Sequence, residues 1–249
     1  MSTVLITGTS SGFGLETARL FLDRGWHVVA TMRTPNSDAL PAHERLRILA
    51  LDVTQPESIA RAVADAGPID VLVNNAGFGA PVPVELTPIE TARALFETNT
   101  LGTLAVSQAF LPQMRERGAG VIVNVTSSVT LKALPLVGVY SASKAAANAL
   151  TESMALEVEP FGVRVRLVLP GRAPDTRFGA NAGVHLAGQD HPAYGPLVEQ
   201  ILVAFRDTSG SITHAEDVAE AVWRAATDPT APMRIAAGKD AEEWMAAVG

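Results

Sequence analysis

A phenol and an amine, Tyr140 and Lys144, stand four residues apart in the stretch VYSASKAAANAL, otherwise built mostly of small side chains. In a helix that spacing puts both on one face, with Cβ atoms about 5–6 Å apart, so the two groups can reach one reactant. A phenol titrates near 10, and to act as a base at neutral pH it must fall by about three pH units, or ~4 kcal/mol. A neighbouring ammonium can supply much of that by stabilising the phenolate. The chemistry on offer is proton transfer to or from a substrate oxygen. Taken as a bare pair, an aromatic at a helix start with a surface lysine one turn later is the commoner arrangement. Their surroundings argue otherwise. The preceding apolar run ends NVTSS, so Ser127 or Ser128 would lie at the carboxyl end of a parallel strand, where open α/β sheets bind ligands. A hydroxyl there could hold a substrate oxygen beside the phenol.

A second constellation lies near the start of the chain. TGTSSGFG places Gly8, Gly12 and Gly14 directly after an apolar strand and at the head of a helix. Glycines let the backbone turn tightly and approach a pyrophosphate, and the helix N-terminus supplies N–H groups and partial positive charge. The spacing is G-x-x-x-G-x-G, and as an isolated turn it could serve the backbone alone. The next strand ends ATMRT, where an acid would hold a free ribose 2′-hydroxyl and an arginine a 2′-phosphate. Arg33 fills that place and no acid does, which points to NADP(H), with Ser11 as a neutral donor beside it. Asp52, closing the third strand in LDVT, could cap a turn or accept from an adenine amino group. NNAG, residues 74 to 77, ends another strand and suits a backbone pressed against a cofactor.

The elements that must position these groups are legible as alternation. Short β-branched runs at 3 to 7, 27 to 31, 46 to 51, 70 to 75, 120 to 127 and 163 to 170 read as strands, several apolar throughout, as strands buried on both faces are. Helical stretches at 13 to 25, 56 to 65, 88 to 117 and 138 to 159 separate them. The pattern predicts right-handed βαβ crossovers and an α/β fold: a Rossmann-like, doubly wound parallel sheet in a three-layer α/β/α arrangement, one domain over 1 to 249. Residues 171 to 212, rich in Gly, Pro and Ala, break the rhythm and read as a lid loop over a substrate. Phe178, Leu186, Tyr194 and Leu197 in that loop, with Leu134 and Val137 before the tyrosine, would form an apolar pocket wall. Thr213 with Glu216 has capping-box spacing for a following helix, and a weak strand near MRIAA closes the fold.

Composition narrows the partners. The chain has 249 residues, 47% of them apolar, and a formal net charge of -7 with no Lys/Arg-rich run, which argues against nucleic acid or an anionic membrane surface. It has no cysteine, so thiolate chemistry and Cys-held metals are excluded, and His185 and His191 read as loop residues, leaving no metal site expected. The opening apolar run is too short for a signal peptide and no stretch approaches the ~18 apolar residues of a membrane span, so a cytoplasmic protein is expected. In the helix after Tyr140, Ala142, Ala146, Ala149 and Ser153 form a stripe suited either to packing on the sheet or to a subunit contact.

With TGTSSGFG, NNAG, Asn99 in ETNTLG, NVTS, YSASK and PGRAPDT in this order, the sequence resembles the short-chain dehydrogenase/reductase family of about 250 residues, closely over 3 to about 176, and ATMRT is similar to its NADP-using 17β-hydroxysteroid dehydrogenases. The resemblance implies that Tyr140 is the acid/base, that Lys144 lowers its pKa and holds the nicotinamide ribose, and that Asn99 supports a water joining Lys144 to solvent. It selects Ser127 over Ser128 for the substrate oxygen, three residues after Asn124 and thirteen before Tyr140. It implies a cofactor cradle of Gly8, Ser10, Ser11, Gly12, Phe13, Gly14, Arg33, Asp52, Val53, Asn75, Ala76, Gly77, Pro170, Gly171 and Thr176, together with Tyr140 and Lys144. The segment after PG is one residue longer than usual before Thr176. The expected activity is NADP(H)-dependent interconversion of a secondary alcohol, or an aldehyde-level alcohol, with its carbonyl compound by a homodimer or homotetramer. The alternatives are a catalytically silent NADP(H)-sensing regulator and a sugar-nucleotide epimerase or dehydratase.

Overall fold

A computed structural model describes residues 2–176, 182–183 and 185–248. Seven parallel strands form one sheet in the order β3-β2-β1-β4-β5-β6-β7: β1 (Thr3–Thr7), β2 (His27–Met32), β3 (Leu46–Ala50), β4 (Val71–Asn74), β5 (Gly120–Val125), β6 (Val163–Pro170) and β7 (Arg234–Ala237). The two-residue period of a strand sends alternate side chains to opposite faces. Val4 and Ile6 of β1, Val71 and Val73 of β4, and Val121, Val123 and Val125 of β5 face one side, while Leu5, Leu72 and Ile122 face the other. Helices cover both sides, which is why these strands are apolar throughout. On the first face, α1 (Gly12–Asp23) buries Ala18, Phe21 and Leu22 beside Val218 and Val222 of α7 (Ala215–Thr227). On the second, α2 (Pro56–Ala66) contributes Ile59 and Ala62, α4 (Thr103–Arg117) Val106, Phe110 and Met114, and α5 (Gly138–Val158) Val158. Phe21 and Phe110 are each fully buried, and each such side chain contributes roughly 1.5–3 kcal/mol.

The chain runs β1, β2, β3 outward, then returns to lay β4 on the other side of β1. That reversal leaves a crevice at the carboxyl ends of β1 and β4, and the glycine loop and NNAG both open onto it.

Four elements differ from the sequence expectation. The helix expected over 88 to 117 is interrupted: α3 (Ile89–Phe96) gives way to a π-helical turn, Glu97–Gly102, before α4 begins. ETNTLG is poor in strong helix formers, so this turn yields where tertiary contacts pull on Asn99. The insert is not wholly a loop, for it carries α6 (Gly195–Arg206), a helix with proline in its first turn and Val198 fully buried. The capping box of α7 is shifted by one residue: His214 is the N-cap, and its N–H donates to the Asp217 carboxylate at 2.8 Å. Thr213 cannot serve, because it is completely buried with its hydroxyl engaged elsewhere. Finally, α8 (Lys239–Val248) follows β7 and was not anticipated. Among the described residues no helix is long and apolar enough to cross a membrane.

Candidate active site

The glycine loop and NNAG are stitched to each other at the ends of β1 and β4. The Thr7 hydroxyl accepts from the backbone N–H of Asn75 and Ala76 at 3.0 and 2.9 Å, and Asn75 Nδ2 donates to the carbonyls of Thr7 and Gly8 at 2.9 and 3.2 Å. Gly8 and Thr9 donate their N–H groups to Thr31 O, tying the loop to β2 as well. The packing leaves no room for a side chain at Gly14, where a Cβ would fall against the Gly8 carbonyl and 2.5 Å from Asn75 Nδ2. Gly8 takes a left-handed φ of 73° with Ala76 against it. Ser11 is the N-cap of α1 without a side-chain cap bond, and the first turn holds no acid. The first turn itself therefore offers no carboxylate to compete for its backbone N–H groups, which suits a pyrophosphate.

Two of the expected site residues, Asn99 and Lys144, meet over Gly77. Tyr140 and Lys144 lie on the first turns of α5, both buried, 6% and 5% exposed. A Cβ on Gly77 would stand 3.2 Å from Lys144 Nζ and 2.9 Å from Asn99 Oδ1, so the bare glycine is what admits the amine and the amide together. Lys144 Nζ donates to Val125 O at 3.1 Å. Asn99, in the π-helical turn, reads the backbone of Phe78 as a strand neighbour would: Oδ1 accepts from its N–H at 3.1 Å, and Nδ2 donates to its carbonyl at 3.0 Å and to Ser143 Oγ at 3.0 Å. Both amide protons of Asn99 are thereby used. Ser127, rather than Ser128, meets the phenol with its hydroxyl, which also accepts from Val129 N–H at 3.3 Å. Ser128 is buried at the start of the following 3-10 turn.

Burial reverses the electrostatics expected from the pair. Desolvation pushes the Tyr140 phenol up to about 12, with the Ser127 hydrogen bond opposing it, and pulls the Lys144 amine down to about 8. Spacing alone suggests a lysine that lowers the phenol, but in the folded chain the cost of removing each group from water sets the direction of both shifts. Tyr140 is a neutral acid at pH 7.

An apolar wall stands beside the phenol. Ala80, Val82 and Leu95 are buried with Tyr140, and Phe78, Val129, Val139 and Ala187 pack against them. Val137 belongs to this wall, as expected, whereas Tyr194 sends its hydroxyl to Glu85 Oε2 at 2.5 Å and Leu197 is exposed. Phe178 lies outside the described residues. The remaining expected positions fall as follows. Arg33 follows β2, exposed, with no hydrogen bond or ion pair to any described residue. Asp52 accepts from Thr54 N–H and Oγ1 through one carboxylate oxygen, at 3.0 and 2.7 Å, so it closes a turn. Val53 is buried against Gly102. Pro170 ends β6, Gly171 donates its N–H to Ala237 O at 3.1 Å, and Thr176 lies next to Gly12 in a cavity of about 340 Å³ shared with Asp175 and His214. Ser10 is exposed at the loop's tip and Phe13 packs on the first core. Sequence reasoning missed Thr7 and Thr31. A threonine ending a strand before a glycine turn is the signal that could have found the first.

The family model for short chain dehydrogenases matches residues 2–184. The chain belongs to that family. A 3-ketodihydrosphingosine reductase from Bacteroides thetaiotaomicron is 33% identical over 240 residues, covering 94% of this chain and 87% of its own. A short-chain dehydrogenase structure from Streptomyces avermitilis is 33% identical with a TM-score of 0.84, covering 99% of this chain and 91% of its own. One from Burkholderia cenocepacia, in complex with NADP, is 30% identical with a TM-score of 0.79, covering 98% and 91%. As a short-chain dehydrogenase the protein is an oxidoreductase that works with a nicotinamide dinucleotide and a small-molecule substrate. The glycine loop fits the pyrophosphate of such a cofactor, since the first turn of α1 holds no acid and Gly8 and Gly14 leave no side chain over the backbone.

Proposed function

We propose that this short-chain dehydrogenase is an NADP(H)-dependent oxidoreductase that interconverts a carbonyl compound with its secondary or primary alcohol, running as a reductase at neutral pH. The observation that carries this is the buried Tyr140 phenol, hydrogen-bonded to Ser127 and neutral at pH 7. The bound dinucleotide supplies or receives a hydride. The chain's own residues do the rest. Ser127 donates to the substrate oxygen and orients it toward Tyr140, which delivers its proton to that oxygen as negative charge develops. Lys144, held by Val125 O, supports the resulting phenolate, and Asn99 fixes Gly77 and Phe78 beneath it. The wall of Phe78, Val82, Val137 and Ala187 excludes water and suits a ketone or aldehyde with apolar substituents. The direct test is NADPH oxidation over a panel of ketones and aldehydes of graded size. No turnover on any of them refutes the proposal.

The choice of NADP(H) rests on Arg33, a guanidinium without a hydrogen-bond or ion-pair partner among the described residues where β2 ends, with no acid beside it in the sequence. NADPH is expected to bind at least about tenfold tighter than NADH, and Arg33→Asp to erode or invert that preference. Fluorescence titration measures both, and equal affinities in the unmodified protein would exclude the assignment.

We also propose a homo-oligomer formed through α5. Ala142, Ala149 and Ser153 of the small-residue stripe are exposed, so the stripe does not face the sheet, and Leu150 and Leu156 on the same helix are 39% and 74% exposed. Apolar surface of this kind marks a contact with another molecule. Light scattering at micromolar concentration should return the mass of two or four chains, and a monomer would overturn it.

A further inference from the structure

We propose that Asp240, in the first turn of α8, is a positioning residue for the substrate side of the site: one buried carboxylate seats both feet of the insert, whose described residues 185–188 border the pocket beside Tyr140. The proposal rests on the reading of that pocket as the substrate site.

The insert leaves the sheet at Gly171 and Arg172 and returns at Thr213. Asp240 Oδ2 accepts from the Arg172 backbone N–H at 2.6 Å, and Oδ1 from the Thr213 hydroxyl at 2.6 Å. The two feet also hold each other: Thr213 N–H donates to Arg172 O at 2.9 Å, and Gly171 N–H to Thr213 Oγ1 at 3.1 Å. Asp240 is 5% exposed and Thr213 wholly buried. A carboxylate taken out of water is costly unless charge-assisted hydrogen bonds and a favourable dipole compensate, and here both feet of the insert and the start of α8 provide them. The backbone makes way for it, since a Cβ at Gly171 would fall on the carboxylate itself.

From this node the seat is passed outward. The Arg172 guanidinium donates to the carbonyls of Ala204 and Phe205 at 3.0 and 3.1 Å and to that of Asp207, closing the C-terminus of α6. The distal part of the insert then meets the pocket: the His185 ring lies 5.1 Å from that of Phe78, Ala187 joins the wall at Tyr140, and Gly188 packs on Pro83 and Leu86. These distal contacts are aromatic and apolar, or exposed as in the bond from Tyr194 to Glu85, and Val198 of α6 is buried by packing, so the node is where buried hydrogen bonds to a carboxylate hold the insert. None of the node's hydrogen bonds reaches Ser127, Tyr140 or Lys144 among the described residues. Loosening it should therefore weaken substrate binding and leave the proton transfer intact.

The test compares Asp240→Ala and Asp240→Asn in the full chain by steady-state carbonyl reduction, NADPH titration and hydrogen exchange of 171–176 and 209–214. Losing hydrogen bonds to a charged group should raise the ketone KM of Asp240→Ala by about tenfold or more. Its kcat should stay within about threefold, which separates lost binding from lost chemistry. Exchange at both feet should accelerate. Asp240→Asn should restore KM, because its amide oxygen can accept from Arg172 N–H and its NH2 can donate to Thr213 Oγ1, whose own proton then turns to Ala237 O, 3.0 Å away. A folded Asp240→Ala with unchanged KM overturns the proposal, as does a joint fall of kcat, NADPH affinity and melting temperature that Asn does not rescue. If Asp240→Ala does not fold, Thr213→Val decides: it must raise KM by at least about threefold for one lost bond, and an unchanged KM overturns the proposal. In a protein that reduces no carbonyl, which refutes the substrate reading instead, exchange still decides, since feet that exchange no faster in Asp240→Ala are not held by Asp240.

Discussion

Replacing Tyr140 with Phe is expected to lower kcat/KM for carbonyl reduction by about 10²- to 10⁴-fold, the contribution of a positioned general acid, with NADPH affinity retained. The substitution keeps the ring in its apolar surroundings and removes only the hydroxyl that meets Ser127. The pH dependence adds an independent readout. With the phenol near 12, reduction has its acid in place across the neutral range and should not lose rate as pH falls from 8 to 6 for want of that proton. Alcohol oxidation needs the phenolate, so its kcat/KM should climb as pH rises, by roughly tenfold per unit while proton removal limits it. Rates against pH in both directions, with NADPH titration of the variant, make the measurement. Near-full turnover by Tyr140→Phe would reduce Tyr140 to a buried aromatic at a helix start.

Lys144→Met should abolish most turnover, weaken cofactor binding, and yet make the protein more stable at pH 7. Burial holds the amine near 8 against an ordinary 10.5. A depressed pKa means that between 8 and 10.5 the unfolded chain binds the proton and the folded chain does not, so stability rises with pH across that window and is lost as pH falls through 8. Below 8 the folded protein carries a buried ammonium at a net cost of about 3 kcal/mol, its bond to Val125 O included. Methionine has similar length and no charge to desolvate. The variant's melting temperature should exceed that of the unmodified protein at pH 6 to 7, and the gap should close above pH 10. Paired thermal melts at both ends of the range, beside activity and NADPH titration, check it. A less stable variant at pH 6 would show that the amine is not penalised by burial, and an active one that it has no part in the reaction. Retaining a costly lysine makes sense only where the charge is used, a trade of stability for function.

The alternation of apolar runs with helical stretches was enough for the parallel sheet and its flanking layers, because strands buried on both faces have no polar face to disguise. Local spacing also put the glycine loop, Arg33, the Ser127 and Ser128 pair, Tyr140 and Lys144 at strand ends or helix starts, and the family resemblance chose between the two serines. The misses are long-range. The π-helical turn at Asn99 forms because its side chain pairs with the backbone of Phe78, 21 residues earlier. The N-cap of α7 moved to His214 because Thr213 is claimed by Asp240, 27 residues later. The direction of the Tyr140 and Lys144 shifts was out of reach for the same reason: spacing fixes which groups are neighbours, whereas burial depends on every element packed around them. The sequence by itself determined the sheet, its crossovers and the chemical types at its carboxyl edge. Only the tertiary structure decided that burial raises the phenol and lowers the amine, and that a carboxylate on the last helix holds the insert, because these depend on distances and desolvation between residues far apart along the chain.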